Sequence, residues 1–245
     1  PSEWQKIFAS KLVSAEKAIS HIKNGQSVLI GTGSSEPIVL TQTLADMAYK
    51  LREVRIIHLM PLGDPILSRS DFELSFRYNT FYRGQTVRVA IETGQIDYTP
   101  MNVRELPAAI ASGLVPIDVA LIQVSPPDFE GYCSLGPSVD IMQAAAKHAT
   151  FVIAQVNESV PVSRGDTYVL VDDLDFLVEG NKPLIEQKSI SRDLDTVSLS
   201  IGRHAADLIT DGTTLHFDMS RLSAATMRYL EGKKNLGLHT VILTD

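Results

Sequence analysis

The stretch SVLIGTGSSEP, Ser27 to Pro37, decides the fold class. Its first five residues read as a buried β-strand, and Gly31-Thr32-Gly33-Ser34-Ser35-Glu36-Pro37 reads as a tight turn. The segment after it, IVLTQTLADMAYKL, has helical periodicity, and its proline stands where a helix start accepts one. Upstream, a helix is expected from the N-cap candidate Ser14 to the stop signal Asn24-Gly25. Downstream, strands VRIIHLM, IDVALIQV and TFVIAQV alternate with helices NVRELPAAIASG and SVDIMQAAAKHA. Strand–helix alternation with short connections predicts an α/β fold with a predominantly parallel sheet flanked by helices.

Beyond Asp166 the pattern turns strand-like in TYVLVDDLDFLV and then polar in EGNKPLIEQKSISRDLD, which marks an internal boundary. Residues 1–183 are expected to form one α/β domain and residues 184–245 the start of another. In the second part we expect helices SLSIGRHAADLI and LSAATMRYLEGKK and strands TTLHFD and TVILTD. The sequence stops on that last strand with no helix after it, so the expectation is one half of a larger enzyme.

Hydrophobic residues make up 44% and charged residues 21% of the 245, enough apolar material for a large core. The formal net charge is -7 and neither sign is concentrated in a block, which argues against nucleic acid or an anionic membrane as partner. Apolar runs stay well below the roughly 18 residues of a membrane span. The scattered charges of PSEWQKIFASKLVSAEKAISHIK do not resemble a signal peptide, so the expected compartment is the cytoplasm. One cysteine, Cys133, rules out an intramolecular disulfide, and His21, His58, His148, His204, His216 and His239 lack the spacing of a metal pair. The sequon at Asn157 is read as a chance match.

Two loops offer chemistry. In Gly31–Pro37, two glycines and small hydroxyl residues would let main-chain amides approach a phosphate or oxyanion, or they simply make a tight turn. Glu36 stands where a dinucleotide fingerprint needs its third glycine, so a nicotinamide site is not expected. The second loop, SPPDFEGYCSLGPSVD, Ser125 to Asp140, leaves the carboxyl end of a strand, where ligands of parallel sheets bind. Its prolines and glycines specify an unusual backbone, with Ser125, Asp128, Tyr132 and Ser134 as polar groups, and its alternative reading is a rigid connection. Asp172, Asp173 and Asp175 read as a solvated strand end.

From KLVSAEKAISHIKNGQSVLIGTGSSEP through SFRYNTFYRG, VPIDVALIQVSPPDFEGYCSLGPSVD and VIAQVN to IGRHAADLITDGTTL and KKNLGLHT, the chain resembles the acetyl-CoA hydrolase/transferase family of class I CoA-transferases. The resemblance implies a CoA-transferase-like fold of the NagB/RpiA/CoA-transferase type, with the active site between two related domains. It implies a reaction that moves CoA between an acyl-CoA and a carboxylic acid. A glutamate attacks the thioester to form a mixed anhydride, and the released CoA thiolate converts it to a glutamyl-CoA thioester. Coenzyme A is then a substrate, with no permanently bound cofactor and no metal. The implied partners are acyl-CoA, a small carboxylate, and a second CoA-transferase domain or another copy of the chain.

Carried over residue by residue, the resemblance makes Gly31, Gly33, Ser34, Ser35 and Glu36 of the first loop candidates for binding substrate or CoA. From the second loop it adds Ser125, Pro126, Pro127, Asp128, Gly131, Tyr132, Ser134 and Gly136, and near the end of the chain Met219 and Ser220. There are three departures. The family's G-I-H-T-E motif reads Gly237-Leu238-His239-Thr240-Val241, so valine occupies the nucleophile position. The family's G-I-G-x-I loop is Asp218-Met219-Ser220-Arg221-Leu222, and the histidine of its S-P-P-D-x-H-G-Y loop is Glu130. The expectation is a first domain that is inactive alone, with Glu130 as a remote substitute nucleophile. A non-catalytic acyl-CoA-binding or regulatory module is the alternative. Kinship with sugar-phosphate isomerases rests on fold analogy only.

Overall fold

The computed structural model of the protein describes residues 2–186, 194–218 and 220–240. The chain divides into two compact units, Pro1–Glu186 and Gln187–Asp245.

In the first unit, strands β1 (Ser27–Ile30), β2 (Val54–His58), β3 (Phe76–Thr80), β4 (Asp97–Tyr98), β5 (Val119–Val124), β7 (Phe151–Val156) and β9 (Phe176–Glu179) form one parallel sheet in the order β4-β3-β2-β1-β5-β7-β9. A small antiparallel ladder joins β6 (Tyr132–Ser134) to β8 (Tyr168–Leu170). Helices α1 (Glu3–Ile7), α2 (Ala15–Ile19), α3 (Ile38–Asp46), α4 (Gln85–Glu92), α5 (Leu106–Ala111) and α6 (Met142–His148) complete it.

Two apolar cores follow from the period-2 alternation of fully buried strands. Val119 and Leu121 of β5 face one core, with Ala18, Ile19, Leu40 and Leu44 of α2 and α3. Ala120, Ile122 and Val124 face the other, with Leu106 and Ile110 of α5 and Met142 and Ala145 of α6. The expected α/β sheet flanked by helices is therefore present. Ser14 caps α2 as expected, its side chain accepting from Lys17 N, but the helix ends at Ile19, short of Asn24-Gly25.

Some elements differ from expectation. Phe76–Thr80 and Gln85–Glu92 are a strand and a helix that the sequence reading does not include: FRYNT is short, pairs in parallel with β2, and buries Phe76, Tyr78 and Thr80 on alternate positions. TYVLVDDLDFLV is not continuous, because a 3-10 turn at Val171–Asp173 separates β8 from β9 and sends them to different sheets. Lys11 Nζ donates to the carbonyls of Val171, Asp172 and Leu174 and holds that turn.

The second unit pairs α7 (Thr196–Asp207) with α8 (Arg221–Met227) and sets two short parallel strands, β10 (Thr214–Leu215) and β11 (Gly237–Leu238), side by side. Asp195 caps α7 by accepting from Ser198 N at 2.7 Å. A Cβ on Gly202 would lie 2.5 Å from the Ala225 carbonyl carbon, so glycine permits this helix contact. The expected strand TTLHFD is limited to Thr214–Leu215, and most of TVILTD lies outside the described residues.

Candidate functional site: two loops at the switch point of the sheet

Strand order runs outward from β1 through β2, β3 and β4, then resumes on its other side with β5. The carboxyl ends of β1 and β5 thus form the topological switch point, where open α/β sheets bind ligands. The loops leaving those ends are Gly31–Pro37 and Ser125–Asp140, the two stretches singled out from sequence. Register places them together: Ile30 pairs with Leu121, and Gly31 N donates to Leu121 O at 2.8 Å.

The loops lock into each other. Ser35 Oγ donates to Leu135 O at 3.0 Å, and Thr32 Oγ1 donates to the Asp140 carboxylate. Gly33 has a φ of +59°, and a Cβ there would stand 2.7 Å from Ser138 Oγ. At Gly31 a Cβ would meet the Ser35 carbonyl oxygen at 2.9 Å. These glycines are required by loop-to-loop packing.

Most of the main-chain amides of Gly31–Pro37 are engaged within the fold, as the tight-turn reading of this loop expects. Gly33 N donates to Met60 O, Ser35 N to Thr32 O, Glu36 N to Gly33 O and Ile38 N to Glu36 O. Val39 N, in the first turn of α3, is taken by the side-chain oxygen of Gln155 at 2.9 Å. All of the loop is buried except Ser34, which is half-buried. Packing against β5 and the second loop thus engages the amides of Gly31, Gly33, Ser35 and Glu36.

In the second loop, Asp128 Oδ1 accepts from Glu130 N at 3.0 Å and from Tyr132 N at 2.9 Å, so its carboxylate braces a turn closed by Gly131 at φ +86°. Ser125 N donates to Ser134 O and Ser134 N returns a bond to Ser125 Oγ, each at 2.9 Å. Read from sequence as groups offered to a ligand, Ser125 and Ser134 are buried and their hydroxyls serve the loop. Ser134 Oγ also accepts from Gly136 N and Ser163 N, each at 3.1 Å. Gly136, at φ +66°, would place a Cβ 2.5 Å from Val160 Cγ1. Cys133 is fully buried, and that burial, with the nearby Asp128 charge, pushes its thiol up to about 12.

What faces outward is different. Ser125, Pro126, Asp128, Tyr132, Val162 and Tyr168 line a cavity of about 310 Å³, with the Tyr132 and Tyr168 rings edge to face at 6.2 Å. Beside it, Phe129 is 91% exposed, and Glu130 is exposed too. A depression of about 370 Å³ lies at the β3–β4 edge, bounded by Arg69, Glu73, Phe76, Arg77 and Asp97, away from the switch point. Among the described residues no group of three or more histidine, cysteine or carboxylate side chains could hold a metal ion.

Sequence reading did not anticipate two buried polar groups beside the loops. In the first, Gln155 Nε2 and Asn157 Nδ2 both donate to Gln123 Oε1, at 2.9 and 3.0 Å, and Gln155 Nε2 also reaches Gly180 O. The signal was present in the matching ends VALIQV and FVIAQV, whose glutamines pair in register. Buried Asn157 is no glycosylation site in this fold. The second group joins Glu36 to His58, at the end of β2, with Glu36 Oε2 and His58 Nε2 3.9 Å apart. Burial, aided by the charge of Asp64 and opposed by the Gly63 N–H, raises Glu36 to about 7, and burial lowers His58 to about 3.

Residues 2–186 match the acetyl-CoA hydrolase/transferase N-terminal domain. The chain belongs to the acetyl-CoA hydrolase/transferase family. Among curated relatives, a 4-hydroxybutyrate coenzyme A transferase of Clostridium kluyveri is 37% identical over 99% of this chain and 56% of its own length. A succinyl-CoA:acetate/propanoyl-CoA:succinate CoA transferase of Fasciola hepatica is 34% identical over 94% of this chain and 48% of its own. Among solved structures, RipA from Yersinia pestis superposes with a TM-score of 0.85 at 27% identity, covering 99% of this chain and 58% of that one. A 4-hydroxybutyrate CoA-transferase from Porphyromonas gingivalis gives 0.78 at 30%, with 99% and 57% covered. The chain therefore has the family's CoA-transferase-like α/β fold and spans about half the length of the curated relatives it matches.

Of the remaining candidates from this family resemblance, Ser220 belongs to the second unit, where its side chain caps α8 by accepting from Ser223 N at 3.1 Å. Met219 and Val241 lie outside the described residues. No described helix is long and apolar enough to cross a membrane.

Proposed function

We propose that this chain supplies the first domain, and in residues 184–245 the start of the second, of an enzyme that moves CoA between an acyl-CoA and a small carboxylic acid. The observation that carries this reading is the meeting of Gly31–Pro37 and Ser125–Asp140 at the switch point, inside a family match covering residues 2–186. The loops form one wall of the acyl-CoA site. Its outward face comprises Ser34 on one loop and Pro126, Asp128 and Tyr132 on the other, while Gly31, Gly33, Ser35, Glu36, Ser125, Pro127, Gly131, Ser134 and Gly136, all buried, fix its shape. Met219 and Ser220 take the place of the family's CoA loop. The opposite wall comes from a second family domain or another copy of the chain, and the compartment is the cytoplasm.

In this reading valine at 241 leaves the chain without the carboxylate that forms the anhydride and the thioester, and it is inactive alone. Glu130, exposed at the tip of a loop, is the residue to exclude as a substitute. The same valine favours a second reading, an acyl-CoA-binding or regulatory module that pairs with an active transferase. The test is turnover of acetyl-CoA with a carboxylate acceptor by the chain and by Val241→Glu, each with and without a family C-terminal domain. Activity only with the glutamate and the domain supports the transferase reading. CoA binding with no turnover in any arm supports the module, and turnover by the unmodified chain refutes the role given to Val241.

A further inference from the structure

Glu36, which helps to shape the wall of the proposed site, faces His58, a residue to which neither the family match nor that wall gives a role. Glu36 sits at the end of the first loop and His58 at the end of β2, 5% and 2% exposed. Behind the imidazole, His58 Nδ1 and Tyr78 Oη are hydrogen-bonded at 2.7 Å, and Tyr78 on β3 is buried as well. In front, Nε2 faces Glu36 Oε2 at 3.9 Å, beyond a direct hydrogen bond, and neither atom has a hydrogen-bond partner. Buried polar atoms are ordinarily satisfied, and one water seated beside the pair, within hydrogen-bond reach of both atoms, would serve the two together. The charged or titratable groups that face the pair from neighbouring elements are Asp64, on the loop after β2, and Tyr78. The Gly31 carbonyl and the Gly63 N–H are the adjacent backbone dipoles.

We propose that Glu36 and His58 clamp one buried water between Oε2 and Nε2, and that this Glu36–water–His58–Tyr78 chain positions the Gly31–Pro37 loop of the acyl-CoA site. The role in that site rests on the function proposed above; the water and its proton linkage do not. Glu36 and His58 are positioning residues, since Tyr78 closes one end of the chain and both groups are withdrawn from solvent. Below about pH 7 one proton resides on the carboxyl side of the chain, because burial disfavours both the carboxylate and the imidazolium. When that proton leaves, the water donates to Glu36 and the ring takes the Nε2–H tautomer, with Nδ1 then accepting from the Tyr78 hydroxyl.

Two measurements on the full chain test this. Diffraction from its crystals should place one ordered water within about 3.2 Å of both atoms; a dry gap, or direct contact of the two side chains, overturns the clamp. Long-range proton–nitrogen spectra of the histidine rings between pH 5 and 9 should show His58 neutral throughout. Its ring nitrogens should step at a midpoint near the Glu36 value of about 7, and Glu36→Gln should abolish the step. A His58 that titrates near its ordinary 6.5, or shows no step, overturns the linkage. If Glu36→Gln does not fold, the carboxyl carbon of Glu36 in the unmodified chain must share the midpoint, and a different midpoint overturns it equally. For the positioning role, CoA affinity measured by calorimetry at pH 6 and 8 should change at least about fivefold in the unmodified chain and remain level in Glu36→Gln. Equal pH dependence in both removes the positioning role. Absence of CoA binding defeats the acyl-CoA reading and the positioning role with it, and leaves the water and the step to be judged on their own spectra.

Discussion

Replacing Glu36 with glutamine should make the protein more stable above neutral pH, even though it removes a buried charged group. The carboxyl is raised from an ordinary 4.5 to about 7 in the fold, so the folded state holds its proton where the unfolded chain has released it. That costs stability, beginning above pH 4.5 and complete above 7. A displacement of this size corresponds to roughly 3 kcal/mol. His58 acts with the opposite sign. Its value falls from 6.5 to about 3, so its contribution is present above 6.5 and lost as pH falls toward 3. Between pH 4.5 and 6.5 the unfolded pair carries its one proton on histidine and the folded pair carries it on glutamate, and the two slopes cancel. Glu36→Gln lifts the compensation. Its stability relative to the unmodified chain should be near zero at pH 4 and rise by about 1.4 kcal/mol per pH unit to roughly 3 kcal/mol by pH 8. Urea unfolding followed by the fluorescence of Trp4, the single tryptophan and part of the first unit's core, measures this directly. A stability difference that is the same at pH 5 and pH 8, or a variant weaker at pH 8, would refute the assignment of Glu36 as the buried proton carrier.

Gly33→Ala should cost about 1–3 kcal/mol, because it combines a left-handed backbone with a Cβ 2.7 Å from Ser138 Oγ; a neutral result by urea unfolding would show that the two loops are not locked as described. Gly202→Ala should weaken the second unit by a similar amount through its clash with Ala225, read as loss of amide protection in α7 and α8. Asp128→Ala should cost about 0.5–1.5 kcal/mol by leaving the exposed Glu130 and Tyr132 amides to water, with faster proteolytic cleavage beside Phe129 as the readout. Cys133 should resist thiol reagents at pH 8 until denaturant is added, because its thiol is buried and raised to about 12.

The sequence by itself determined the alternation of strands and helices, and with it the α/β class, because period-2 and period-3.6 patterns are local. It also located both loops, since glycine and proline announce unusual backbone wherever they occur, and it carried the family in motifs such as SPPD and GYCSLG. It did not reveal β3, a short strand in which Phe76, Tyr78 and Thr80 are buried while Arg77 and Asn79 are not, nor the break between β8 and β9. Above all, it did not show what the loop residues touch. Gly33 was legible as a glycine needing room, but Ser138, whose hydroxyl fills that room, lies 105 positions further along the chain. Glu36 was legible as an obstacle to a dinucleotide site, yet its partner His58 is a lone histidine at the end of an apolar run, without a spacing to betray it. Only tertiary structure decided these pairings, because strand order, with β1 seated between β2 and β5, sets which loop ends meet, and strand order is a property of long-range pairing that no local period records.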